Sequence, residues 1–248
     1  MHQFFVDRSQ IDIEKKRVII TGNDVNHIRN VLRMKEGEEL AVRDGVDDRE
    51  YRCAVHTMDE NQVVCELRFI QEDGTELSSR VHLFQGLPKA DKLEFIIQKT
   101  VELGVYEIIP VETGRSVVKI EPKKVRQKTE RWQAIAEAAA KQSKRGIVPI
   151  VREPMSFEKA LELASSMQVK LIPYELAEGM ERTKELFSKL PENTDIAVFI
   201  GPEGGFEEGE IKRAAQHGIQ PITLGKRILR TETAGLTVMA WLMYQLEK

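Results

Sequence analysis

The chain has 248 residues, 41% of them hydrophobic, and a formal net charge of −3, which is enough for one large or two ordinary globular domains with real cores. No stretch approaches the roughly 18 uncharged apolar residues of a membrane span, and Met1-His2-Gln3-Phe4-Phe5-Val6-Asp7 has no basic region followed by an apolar one, so a cytoplasmic location and no membrane partner are expected. Cys53 and Cys65 are the two cysteines; they cannot make a zinc site alone and read as buried thiols, so no metal is expected.

Up to about residue 72 the pattern is of short β runs, at 18–20, 39–43, 51–55 and 62–67, separated by turns such as Asp44-Gly45. One helix interrupts them over 24–34, capped by Asn23 or Asp24, with Val25, Ile28, Val31 and Leu32 at helical spacing. Residues 1–72 therefore read as a small β-barrel domain. A hinge is expected at Gln71-Glu72-Asp73-Gly74-Thr75. Beyond it, over 73–248, strands and helices alternate, which implies an α/β fold with a largely parallel sheet. The predicted strands are 81–84, 108–111, 148–151, 170–173, 196–200 and 221–224. The predicted helices are 89–103, a long one ending near 143, then 157–167, 184–190, 207–217 and 232–246.

Charge is segregated along the chain. From Thr113 to Arg152 there are eleven Lys and Arg against three Glu, which reads either as a phosphate-binding face or as a solvated helix surface.

Two segments carry most of the chemistry. The apolar run 196–200 breaks into Gly201-Pro202-Glu203-Gly204-Gly205-Phe206, and later comes Leu224-Gly225-Lys226-Arg227-Ile228-Leu229-Arg230-Thr231-Glu232-Thr233-Ala234. Each reads as a buried strand ending in a glycine turn, and the carboxyl end of such a strand is where open α/β sheets bind ligands. A plain tight turn is the alternative. The Walker spacing fails, because Gly225-Lys226 is followed by Arg227 and Gln220 stands five residues before Gly225; no Gly-x-Gly-x-x-Gly occurs either.

With these motifs go Asn26-His27-Ile28-Arg29-Asn30-Val31-Leu32-Arg33, Leu87-Pro88-Lys89-Ala90-Asp91-Lys92-Leu93-Glu94, Gln98-Lys99-Thr100-Val101-Glu102-Leu103-Gly104-Val105, Arg115-Ser116-Val117, Glu130-Arg131-Trp132 and Ala138-Ala139-Ala140-Lys141-Gln142-Ser143-Lys144-Arg145. Together they make the whole chain resemble the RsmE-type 16S ribosomal RNA uridine N3-methyltransferases of the SPOUT superfamily. One departure is Gln3, where the family pattern has Arg before the aromatic pair. The resemblance implies a SPOUT-type α/β methyltransferase domain with a trefoil knot over 73–248, preceded by a PUA-like β-barrel RNA-binding domain over 1–72. It further implies S-adenosylmethionine as cofactor, 16S ribosomal RNA within the small subunit as substrate, a uridine near its 3′ end as target, and a homodimer.

On that basis the donor cradle is expected from Ile200, Gly201, Glu203 and Gly204, from Leu224, Gly225, Ile228 and Leu229, from Pro173, Tyr174 and Glu175 after a strand, and from Thr233 and Ala234. Main-chain groups there can read the edge of an adenine. Removing a weakly acidic N3 proton calls for a base or for a cation that stabilises charge on the uracil oxygens. Arg230 is the candidate cation, with pairing to Glu232 or a neighbouring carboxylate as its alternative role; Glu203 and Glu232 are candidate bases or helix caps. RNA contacts are expected from Arg29 and Arg33, which share a helix face at that spacing, and from Lys89, Lys92, Arg115, Lys144 and Arg145, with Gln142 either bonding the RNA or capping its helix. His27 reads as a structural histidine. The rival readings are a noncatalytic RNA-binding protein and an enzyme using another nucleotide cofactor.

Overall fold

The computed structural model describes residues 1–72, 74–175, 177 and 179–247; Asp73, in the predicted hinge, lies outside them. Two compact units emerge, one of residues 1–76 with 140–148, the other of residues 77–139 with 149–248.

The first unit contains β1 (Gln3–Phe5), β2 (Ile11–Asp12), β3 (Arg17–Thr21), α1 (Asn23–Asn26), β4 (Glu39–Arg43), β5 (Glu50–Met58) and β6 (Gln62–Gln71). Its six-stranded sheet runs β1-β4-β5-β6-β3-β2, antiparallel except for the β1–β4 pair. Alternating inward residues such as Val18, Ile20, Leu40, Val42, Cys53, Val55, Val63 and Cys65 meet Val25 and Ile28 in one core. Burial pushes both thiols up to about 12, so neither is a nucleophile at neutral pH. The helix expected over 24–34 is shorter: α1 passes into a π turn at His27–Val31, and Arg33 adopts φ +54. Arg29 and Arg33 therefore do not form a helical i,i+4 pair, because the chain has left the helix before Arg33.

The second unit begins with β7 (Arg80–Gly86), α2 (Lys92–Glu102), β8 (Glu107–Glu112) and α3 (Pro122–Gln142). Pro122 opens α3, where a missing N–H costs nothing. There follow β9 (Ile150–Val151), β10 (Met155–Ser156), α4 (Phe157–Ala164), β11 (Val169–Pro173), α5 (Met180–Ser188), β12 (Asp195–Ile200), α6 (Glu208–Gln216), β13 (Gln220–Ile222) and α7 (Thr231–Leu246). Among the described residues every strand pair is parallel, in the order β10-β8-β7-β12-β11-β13, with β9 also on β8. Stacked rings of Phe84 and Phe199, 4.3 Å apart, lie in the core beneath α4. Helix α2 starts three residues later than expected, because Ala90 takes φ +53 and the Lys89 N–H is bonded to the Glu203 carboxylate.

Candidate functional site

In the second unit a cavity of ≈ 460 Å³ opens at the carboxyl ends of β11, β12 and β13, a size within the range of about 300–1,000 Å³ usual for small-molecule sites. The segments following those strands, 173–175, 200–206 and 223–231, form its wall, completed by Lys92, Arg115 and Ala234. Parallel pairing brings all three strand ends to one edge of the sheet, which is why segments far apart in sequence meet there.

The loop after β12 is held from several sides. Within it, the Gly205 N–H donates to the Pro202 carbonyl at 2.9 Å and Gly205 takes φ +66, a conformation that favours glycine. Thr231 Oγ1 donates to the Gly201 carbonyl at 2.6 Å, and Arg115 Nη1 donates to the Gly204 carbonyl at 2.8 Å. The Glu203 carboxylate accepts from the Lys89 N–H at 3.1 Å and from Lys92 Nζ at 2.8 Å. Burial works to raise the Glu203 carboxyl, but the Lys92 hydrogen bond and the backbone N–H groups outweigh it and hold the group below the usual carboxylate range. Lys92 moves the other way, raised chiefly by the same hydrogen bond, while burial and the positive charge of Arg230 oppose the rise.

Arg230 lines the cavity with its side chain exposed and occupies the N-cap position of α7. Among the described residues it makes no ion pair, so the alternative pairing with Glu232 is not formed. Among the described residues the ionic neighbour of Glu232 is Lys92, with Nζ 3.7 Å from Oε2, a buried oxygen that accepts no hydrogen bond from any of them.

Of the residues expected in the cradle, Pro173, Tyr174, Glu175, Ile200, Gly201, Glu203, Gly204, Leu224, Gly225, Ile228, Leu229 and Ala234 all line the cavity, as does Arg230. Thr233, expected in the cradle, and Glu232, the candidate base or cap, do not: Thr233 is exposed on α7, and Glu232 lies beside Lys92. The residues expected to contact RNA divide as well. Lys92 and Arg115 line the cavity, Lys89 is exposed next to Glu203, and Arg33, Gln142 and Lys144 are exposed, with Arg29 half-buried. Arg145 is 3% exposed, with Nε donating to Glu76 Oε1 at 3.1 Å, which leaves no guanidinium face for a phosphate. His27 packs edge-on against Phe4.

Sequence reasoning passed over Gln85, Thr223, Phe206 and the acidic pair Glu207 and Glu210. Gln85 had a faint signal, a polar residue closing the apolar strand Val81 to Phe84. Glu207 and Glu210 form a capping box on α6, and Glu210 Oε1 also accepts the Gly114 N–H at 2.8 Å.

The model of an RNA methyltransferase domain matches residues 75–243, and that of an RNA methyltransferase PUA domain matches residues 20–68. The chain is 37% identical over 251 aligned positions to the ribosomal RNA small subunit methyltransferase E of Bacillus subtilis, covering 100% of this chain and 98% of that protein. It is similar to the crystal structure of the Neisseria gonorrhoeae enzyme of the same name bound to S-adenosyl methionine, with 30% identity, 97% and 95% coverage of the two chains, and a TM-score of 0.82. A Legionella pneumophila methyltransferase in complex with the same cofactor gives 32% identity, 93% and 92% coverage, and a TM-score of 0.78. With both domain models matched and a relative aligned from end to end, the chain belongs to the ribosomal RNA small subunit methyltransferase E family.

Proposed function

We propose that the protein transfers a methyl group from S-adenosylmethionine to N3 of a uridine in 16S ribosomal RNA of the small ribosomal subunit, in the cytoplasm. The observation that carries this reading is the cavity at the strand ends, where two glycine-containing segments converge with Arg230, which makes no ion pair among the described residues. Its residues fit the donor: Gly201, Gly204 and Gly225 line the cavity without side chains of their own, and Ile200, Leu224, Ile228 and Leu229 supply apolar wall for a flat adenine. S-adenosylmethionine, when bound, supplies an electrophilic methyl carbon on a sulfonium.

The chain's own contribution is positioning and electrostatics. Glu203 is ion-paired to Lys92 with its carboxyl below the usual range, which makes it a weak base, and Glu232 does not reach the cavity wall. Arg230 is thus assigned to stabilise negative charge on the uracil carbonyl oxygens as the N3 proton passes to water. Arg29, Arg33, Lys89, Arg115, Gln142 and Lys144 are assigned to RNA, with 1–72 as a PUA-like RNA-binding domain and 73–248 as a SPOUT domain with a trefoil knot. A homodimer is included in the proposal. Helix α7 supports it, being apolar on nearly every face, with Tyr244 86% exposed and Ile228 87% exposed just before it.

The test is transfer of radiolabelled methyl from S-adenosylmethionine to small subunits lacking the modification, followed by nuclease digestion and mass spectrometry. Label as 3-methyluridine at one site is the expected result. Donor binding without transfer would overturn the substrate assignment, and absence of donor binding would leave an RNA-binding protein.

A further inference from the structure

Gln85, at the end of β7, is completely buried, and no step of the proposed chemistry uses it. Its Nε2 donates to Thr231 Oγ1 at 2.9 Å and to the Gly86 carbonyl at 3.0 Å, while Thr231 Oγ1 donates to the Gly201 carbonyl at 2.6 Å. The direction of this chain is forced. A carbonyl only accepts, so the threonine must give its proton to Gly201 and take one from Gln85, which orients the amide. The peptide that receives it joins Gly201 to Pro202, which has no N–H, so this peptide unit can be tethered only through its carbonyl oxygen. Gly86 packs against the same peptide: a Cβ there would lie 2.7 Å from the Pro202 nitrogen.

Among the described residues the amide oxygen of Gln85 has no hydrogen-bond partner although it is buried, and the second turn of α7 covers it at Gly235, where a Cβ would stand 3.6 Å away. An orphan buried acceptor is unfavourable for folding, so an apolar side chain of the same shape would serve the core at least as well. The donor half of the amide is what a glutamine adds.

We propose that Gln85 is a positioning residue for the methyl donor, acting through Thr231 to lock the Gly201 turn and the first turn of α7 in one arrangement. The inference rests on the donor assignment made above. Its test is titration calorimetry with S-adenosylmethionine on the wild type, Gln85→Met, Thr231→Val, Thr231→Ser and the Gln85→Met/Thr231→Val double variant, with thermal unfolding and steady-state kinetics alongside. Gln85→Met should weaken donor binding about tenfold and raise KM for the donor similarly, leaving kcat and the unfolding temperature near wild type. Thr231→Val should match it, Thr231→Ser should bind normally, and the double variant should be no weaker than the worse single one. Normal donor binding by Gln85→Met, or weakening that tracks loss of thermal stability, would overturn the role. Multiplying effects in the double variant would overturn the chain through Thr231. A wild-type protein that binds no donor would instead remove the donor assignment itself.

Discussion

Arg230 shares the cavity wall with Arg115, Lys226 and Arg227, none of which makes an ion pair among the described residues, and differs from them in standing at the N-cap of α7. Many basic side chains of this protein are spent on carboxylates, Arg43 on Glu50 and Lys92 on Glu203 among them, whereas Arg230 faces the cavity without an ion pair among the described residues. A guanidinium whose charge is unspent is one that developing charge on a substrate can use. Arg230→Ala is accordingly expected to lower kcat by about 10²–10³-fold while the dissociation constant for S-adenosylmethionine stays within twofold or so; unchanged turnover would remove it from the mechanism. Gly201→Val should abolish donor binding, though the first obstacle is the loop itself. A Cβ on Gly201 would meet the Gly205 Cα at 3.0 Å and the Phe206 ring at 3.3 Å, so the turn must open before any ligand is met, and calorimetry with a folded variant that still bound the donor would refute this. At this scale the glycine segments and Arg230 were readable because they stand at the end of an apolar strand and at the start of a helix. Arg145 was not, since a basic residue whose partner is Glu76, 69 positions away, has the same local signature as an exposed one.

Among the elements, α6 shows how one cap can brace a site it does not touch. Glu210 is 2% exposed, with Oε2 accepting the Glu207 N–H at 2.8 Å and Oε1 accepting the Gly114 N–H at 2.8 Å. The bond to Gly114 ties the loop after β8 to α6, and the neighbouring Arg115 in turn holds the Gly204 carbonyl. Glu210→Ala is expected to cost about 1–3 kcal/mol of stability, the cap and the orphaned N–H together, seen as a lower urea midpoint, and to weaken donor binding through Arg115. A midpoint within error of wild type would show that the cap contributes nothing. The long helix α3 and the strand β12, an apolar run closed by a glycine turn, could be read from local sequence. The π turn at His27–Val31 could not, because its apolar residues still fit a helical stripe and only the backbone reveals the change of pitch. Nor could two-residue strands such as β10 be read, being too short to show alternation.

At the scale of the whole chain, the two classes of pattern, short β runs followed by alternating strands and helices, anticipated two kinds of sheet. The return of residues 140–148 to the first unit has no linear signature, because it depends on contacts such as the bond from Gln3 Nε2 to the Arg145 carbonyl at 3.1 Å, between residues far apart in sequence. Within the second unit the sheet has a polar edge opposite the cavity, where strands begin. There His82 Nδ1 lies 2.8 Å from Glu107 Oε2, its Nε2 lies 3.1 Å from Asp195 Oδ1, and Arg152 pairs with Glu107. Burial pushes the Glu107 carboxyl up, yet hydrogen bonds from His82 and Arg152 prevail and leave it below its ordinary 4.5. A carboxylate depressed in the folded state binds protons more readily when unfolded, so its contribution is complete above about pH 4.5 and fades as the pH falls through the lower folded value. Both tryptophans, Trp132 and Trp241, belong to this unit, so their fluorescence follows its unfolding separately from the other. Urea midpoints read this way should drop as the pH is taken from 6 to about 3. Glu107→Gln should be less stable at neutral pH by about 1.5–3 kcal/mol, the worth of a hydrogen bond to a charged group, and should lose less on acidification than the wild type does. Equal acid sensitivity in the two proteins would place the titrating group elsewhere than at this edge of the sheet.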